Sequence, residues 1–213
     1  MEILSKLFGN EDRVKIMRLF ISNGDQVYDK EDVVIRAKSN QYLVKHEISN
    51  LEKIGLIQRR SGIKKNNFAG KSNLKSDKKN GWTLNPDFPY LKELQSLLIS
   101  RSLFKKGEIA QKFEGLGKVK LLVVAGVFIQ DPDSRIDLLV VGDGLKAAQI
   151  KTAVGVLESE IGKEIRYTVF DTAEFKYRIG MCDKLLRDIL DYPHEKVIDK
   201  ITVNNTPQPP MPL

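Results

Sequence analysis

The sequence predicts an α+β protein: short helices and a hairpin in the N-terminal half, then a small α/β domain with a mixed sheet. Three patterns predict it. From Ile3 to Ile54, apolar residues recur at the spacing of amphipathic helices. Two short alternating runs, Leu56–Arg60 and Trp82–Asn85, then bracket a polar loop of Lys, Asn, Ser and Gly, as the strands of a hairpin do. Between Lys120 and Asp143, the β-branched runs Leu121–Val124 and Ile136–Val141 flank the turn residues Asp131-Pro132-Asp133-Ser134. Apolar runs of that length, bounded by Gly, Pro and Asp, are buried strands.

In chain order, Ile3, Leu4, Leu7 and Phe8 share one helical face. Asn10 is an N-cap, with Glu11 and Asp12 at the positive end of the helix dipole. That helix carries Ile16, Met17, Leu19 and Phe20 and stops at Asn23-Gly24; Gln26–Tyr28 is an extended link. Asp29 caps a second helix, Lys30–Lys38, with Val33, Val34 and Ala37 inward. Ser39 begins a third, running to Ile54 on the stripe Val44, Ile48 and Leu51, and Gly55 ends it as its C′ residue. Past the hairpin, Asn85-Pro86-Asp87-Phe88-Pro89 is a turn. Tyr90, Leu91, Leu94, Leu97 and Leu98 stripe a connector helix to about Phe104, and Glu108–Leu116 is a further helix leading to a strand at Val119. Gly142-Asp143-Gly144 turns into the helix Ala147–Ile161, with Ile150, Val154 and Leu157 inward and Gly162-Lys163 at its end. Glu164–Phe170 is a third strand. One helix, Thr172–Leu190, follows, capped by Asp171 with Glu174 at N3 and carrying Phe175, Ile179, Cys182, Leu185, Leu186 and Ile189. Lys196–Ile201 is an edge strand, and Asn204–Leu213 a Pro-rich, disordered tail. The domains predicted are residues 1–88, a connector over 89–106, residues 107–202, and the tail 203–213.

The 213 residues suit two small domains. The net charge of +7 is unevenly spread: residues 1–100 hold 18 Lys/Arg against 12 Asp/Glu, the remainder 17 against 16. Lys53–Asn80 alone has nine basic residues and one acid, Asp77. A basic half of this kind points to a polyanion, most often nucleic acid. The single cysteine, Cys182, excludes an intramolecular disulfide and a cysteine-based zinc cluster; on its helix it reads as a buried packing thiol. His46 and His194 fall in different predicted domains, so neither a histidine-rich metal site nor any other cofactor is expected. No apolar run reaches membrane-spanning length, and MEILSKLFGNEDR has early acids and no long apolar core. A cytoplasmic protein without a membrane partner is expected.

Short helices followed by a hairpin with a basic tip follow the winged-helix order. The segment LFGNEDRVKIMRLF, together with LEKIGLI, resembles the winged-helix group of arsenical-repressor-like transcription regulators, over about Leu4 to Asn85. LEKIGLI is the most specific part: its first Leu packs the third helix, its Gly ends that helix and its Leu-Ile opens the wing. The resemblance implies a winged helix-turn-helix that binds double-stranded DNA as a homodimer, with the third helix in the major groove. Its candidate contacts are Ser39, Asn40, Gln41, Tyr42, Lys45, His46 and Ser49. Gln41 suits adenine, and Lys45 guanine or phosphate. Along the wing, Arg59, Arg60, Lys64, Lys65, Lys71, Lys75, Lys78 and Lys79 can follow a phosphate backbone without reading sequence. For each residue alone, the plain solvent face of a helix or loop stays an open alternative. Metal-sensing members of the group use cysteine or histidine clusters, which this sequence does not have.

The stretch KLLVVAGVFIQDPDSRIDLLVVGD resembles the minimal nucleotidyltransferases of the DNA polymerase β superfamily: a strand, Gly-Ser, a short connection, then Asp-x-Asp. Gly126 stands at the Gly, Val127 at the Ser, Arg135 at the first Asp and Asp137 at the second. The pattern works because residues two apart on a strand share a face, so two carboxylates hold magnesium against the substrate phosphates. Here a fixed positive charge replaces one ligand, and Arg135 and Asp137 are expected to form a same-face ion pair. Asp133 is four residues from Asp137, about 13 Å along an extended strand, too far to share one ion unless the chain bends. The third strand, which supplies a further carboxylate in active members, reads Ile165-Arg166-Tyr167-Thr168-Val169 without an acid. The expected function is therefore a DNA-binding transcriptional regulator with a catalytically inactive nucleotidyltransferase-like domain, kept for dimerisation or for sensing a nucleotide or small-molecule effector. The alternatives are an active metal-dependent nucleotidyltransferase targeted by its winged helix, and an interaction protein that binds no nucleic acid.

Overall fold

Apolar spacing and capping chemistry set the first elements of the computed structural model, which describes residues 3–63, 78–99 and 105–201. Helix α1 spans Ile3–Leu7, α2 Glu11–Ser22, α3 Lys30–Ala37 and α4 Gln41–Lys53. Asn10 caps α2 through the amide of Asp12. Asp29 caps α3 in a reciprocal box with Asp32, which satisfies two amides that the helix itself leaves without partners. Asn40, not Ser39, caps α4, its Oδ1 accepting from Leu43 N at 2.8 Å. Gly55 follows with φ +80°, the left-handed turn that ends the helix.

Strands β1 (Ile57–Ile63) and β2 (Lys78–Leu84) form an antiparallel hairpin, with Ile57 opposite Leu84 and Arg60 opposite Gly81. Both run further toward the tip than the expected 56–60 and 82–85. Tyr28 adds a bridge to Trp82. Helix α5 spans Leu91–Leu98, shorter than expected; residues 100–104 of the predicted connector lie outside the described residues. One apolar core joins these elements. Ile16, Phe20, Val33, Leu56 and Leu98 are fully buried in it, with Val34, Leu91 and Leu94 packed at its margin.

Helix α6 (Lys106–Lys112) lies earlier than the expected 108–116. The sheet that follows comprises β3 (Lys118–Val124), β4 (Leu138–Asp143), β5 (Tyr167–Phe170) and β6 (Glu195–Asp199) in the order β5-β4-β3-β6. The pairs β3–β4 and β3–β6 are antiparallel and β4–β5 is parallel, so the sheet is mixed, with β6 at an edge. Helix α7 covers Ala147–Ile161 with Ile150, Val154 and Leu157 buried, as the spacing predicts.

The predicted single helix after β5 is two: α8 (Thr172–Gly180) and α9 (Lys184–Leu190). Cys182 adopts φ +53° between them, and Asp183 caps α9 through the amides of Leu185 and Leu186. A capping carboxylate three residues beyond Gly180 outweighs the apolar stripe that runs through both helices. Cys182 is consequently exposed, not a packing thiol. Leu121, Val123, Leu139 and Val141 on one face of the sheet bury against Phe175, Leu186 and Ile189 of α8 and α9. Ile201 joins that cluster; the predicted tail lies outside the described residues.

By contacts the chain forms two compact units. One comprises Met1–Leu103 and Val154–Glu164, the other Phe104–Ala153 and Ile165–Leu213. The first turns of α7 thus belong to the second unit and its last turns to the first.

Candidate nucleic-acid interface

Helix α4 has two opposed faces. Val44, Glu47, Ile48 and Leu51 are buried, while Gln41, Tyr42, Lys45, His46 and Ser49 are exposed. The exposed positions advance by four and by one, so they lie on one stripe of the helix. Tyr42 is 79% exposed. Two of the predicted contacts serve otherwise. Asn40 spends its side-chain oxygen on the cap, and the Ser39 hydroxyl is buried without a hydrogen-bond partner.

The buried face is fixed by a charge that the sequence reading passed over. Glu47 Oε2 accepts from Arg13 Nε at 2.7 Å, and its Oε1 accepts from Arg13 Nη2 and Asn10 Nδ2, both at 3.2 Å. These bonds tie α4 to the start of α2. Burial pushes the Glu47 carboxyl up, but the Arg13 hydrogen bonds and charge outweigh it and hold the group below its ordinary range. His46 Nδ1 lies 3.5 Å from Glu47 Oε1 and 3.2 Å from Asn50 Nδ2. The available signal was an acid on the inward side of an amphipathic helix, between Val44 and Leu51.

At the base of the hairpin, Arg59 Nε donates to Glu52 Oε1 at 2.8 Å and its guanidinium lies over the Trp82 ring at 5.8 Å. Trp82 Nε1 donates to the other Glu52 oxygen at 3.1 Å. The Arg59 bond, then that of Trp82, holds the Glu52 carboxyl below its usual range. Arg59 is thus partly neutralised and locked in place. Arg60 is exposed beside it, and Arg59, Arg60, Ser61, Asn80, Gly81 and Trp82 line a shallow groove. Lys64, Lys65, Lys71 and Lys75 lie outside the described residues; Lys78 and Lys79 begin β2.

In the second unit, the expected pair of Arg135 with Asp137 does not form. Arg135 is exposed and pairs with Asp188 of α9 at 3.0 Å. Asp137 is fully buried and its partner is Arg166, with Nε to Oδ2 at 3.0 Å and Nη2 to Oδ1 at 3.1 Å. Backbone amides complete the set: Arg166 N donates to Oδ2 at 2.9 Å and Val127 N to Oδ1 at 3.1 Å. Asp137 directly precedes β4, and its amide donates to Arg166 O at 2.7 Å. That pairing turns its side chain inward and leaves Arg135 facing α9. Gly126 has φ +51°, and a Cβ there would overlap Asp137 Oδ1. Here the glycine makes room for the carboxylate itself. Val127 contributes its amide rather than its side chain. Among the described residues, no group of three or more His, Cys, Asp or Glu is placed to hold a metal ion. No helix among them is long and apolar enough to cross a membrane. Arg166 was out of reach of sequence reasoning, because only the parallel pairing of β4 with β5 brings it to Asp137 from 29 positions away. No protein-family model, no curated protein and no solved structure matches this chain.

Proposed function

We propose that the protein is a sequence-reading regulator of double-stranded DNA, built on a winged helix-turn-helix. The observation that carries this reading is the exposed stripe Gln41, Tyr42, Lys45, His46 and Ser49 on α4, set opposite a face locked by Glu47. A rigid helix presenting an amide, an aromatic ring and a cation along one stripe matches what the base edges of a major groove offer. The neighbouring hairpin, with Arg60 and the lysines toward its tip, supplies phosphate contacts that add affinity without sequence preference. The regulator acts as a homodimer, so that two copies of α4 meet half-sites about one helical turn apart.

The second unit is a nucleotidyltransferase-like domain without catalysis. An ionised carboxylate has about four lone-pair directions, and four donors already occupy those of Asp137. Magnesium, which gives up its waters reluctantly, finds no free anionic oxygen there. The domain is retained for dimerisation or for binding a nucleotide or small-molecule effector.

Selection of bound sequences from a random duplex library tests the reading. The full chain enriches a defined motif, and Gln41→Ala or Lys45→Ala changes the bases preferred while duplex binding persists. A library that returns no motif with the unaltered chain refutes sequence reading. Incubation with labelled nucleoside triphosphates and magnesium or manganese leaves the protein unlabelled; labelling that Asp137→Ala abolishes contradicts the inactive domain.

A further inference from the structure

The end of α7 is held in the first unit by side chains of α2 and of Asn23, its C-cap. Arg18, Ser22 and Asn23 donate to three consecutive carbonyls: Arg18 Nη1 to Glu160 O at 2.9 Å, Ser22 Oγ to Ile161 O at 3.4 Å, and Asn23 Nδ2 to Gly162 O at 2.6 Å. The last carbonyls of a helix have no partner within it, and a guanidinium there also meets the negative end of the helix dipole. Arg18 is 2% exposed, and its Nε donates to Leu98 O, the last residue of α5, at 2.9 Å. One buried cation thus caps two helices. Gly162 makes the approach possible. Its φ is +80°, and a Cβ would lie 2.6 Å from the Arg18 carbonyl oxygen. Just beyond, Arg36 of α3 pairs with Glu164 at 2.9 Å while its guanidinium lies 5.4 Å over the Tyr28 ring.

The same α2 that caps α7 carries Arg13, whose bonds to Glu47 set the inward face of α4. Helix α7 itself is continuous from Ala147, and its stretch up to Ala153 belongs to the second unit. We propose that α7 is a coupling element: its last turns are a structural part of the winged-helix unit, so the stability of residues 147–153 sets how firmly α2 holds α4. This rests on the reading of α4 as the DNA-reading helix, and it makes any event that orders or loosens the start of α7 a regulator of DNA affinity.

Trp82 is the only tryptophan in the chain, so its fluorescence during urea unfolding reports the first unit. Lys151 is exposed on α7 within the second unit's stretch, and Lys176 is exposed on α8. Replacing either with Gly removes a similar amount of helix propensity, and Lys151→Ala keeps it. Lys151→Gly is expected to favour unfolding of the Trp82-reported transition by about fivefold and to weaken duplex binding in proportion. Lys151→Ala and Lys176→Gly are expected to leave that transition in place. A Trp82 transition unmoved by Lys151→Gly overturns the proposal. Equal shifts from Lys151→Gly and Lys176→Gly also overturn it, since the whole chain would then unfold as one body without a special role for α7. If Lys151→Gly alone moves Trp82 while the unaltered chain binds no duplex, the coupling stands and the DNA reading falls.

Discussion

Asp137 and Gly126 constrain each other. The carboxylate sits where a Cβ at residue 126 would have to go, and its oxygens bind the Val127 and Arg166 amides. Gly126→Ala should destabilise the fold, through overlap and through the positive φ. Asp137→Ala should cost about 2–4 kcal/mol, because it strands two amides and unpairs a half-exposed Arg166. Because Asp137→Ala also vacates the space that an alanine at 126 needs, the double variant should lose less than the sum of the singles. Urea unfolding of the three variants measures that coupling, and strict additivity would contradict the packing described. Asp143 gives a second prediction at this scale. Its hydrogen bond from Lys120 at 2.7 Å, with that from the Thr172 amide at 3.3 Å, lowers its carboxyl from 3.8 to about 2. The depressed value means that its contribution to stability is present above pH 3.8 and lost as pH falls through about 2. Titration followed by NMR should place its midpoint near 2 and move it back toward 3.8 in Lys120→Met.

Local chemistry made most elements legible in advance. The caps at Asn10, Asp29 and Asp171, the left-handed Gly55 and the stripe of α7 are each written within a few neighbouring residues. The failures came where a cap competes with a stripe, or where partners are distant in sequence. Asp183 splits α8 from α9 although the apolar spacing continues, and Arg166 takes Asp137 away from Arg135. Leu91, Leu94 and Leu98 form a stripe that the sequence alone assigns neither to its own unit nor to a second copy, and in the fold they pack on the core of the first unit. Glu47 belongs to this scale because it holds two elements together. Its carboxyl lies below the ordinary 4.5 in the folded state, so its stabilisation is complete above pH 4.5 and lost as pH falls through the lower folded value. Stability reported by Trp82 should therefore drop on acidification below about pH 4.5, and less steeply in Glu47→Gln. At neutral pH, Glu47→Gln should cost about 1–2 kcal/mol, since Arg13 is partly open to water. An identical acid profile in the variant would assign the acid sensitivity to other carboxylates.

For the molecule as a whole, charge is unevenly placed. The basic excess lies in residues 1–100, with the exposed stripe of α4 and the hairpin, while the second half is nearly balanced. In the second half, the Asp137 carboxylate is occupied in holding its own unit together. On the function proposed above, the first unit binds DNA through phosphate contacts along the hairpin and base contacts along α4. The most direct test is the affinity of the full chain for duplex fragments as a function of salt. Binding should be tight at low salt, with a linear fall of log affinity with log salt. In the variant with Lys64, Lys65, Lys78 and Lys79 all replaced by Ala, the slope should become shallower by roughly 0.9 for each lysine that contacts phosphate, for all duplex sequences alike. Absence of binding by the unaltered chain at low salt, or an unchanged slope in that variant, would contradict it.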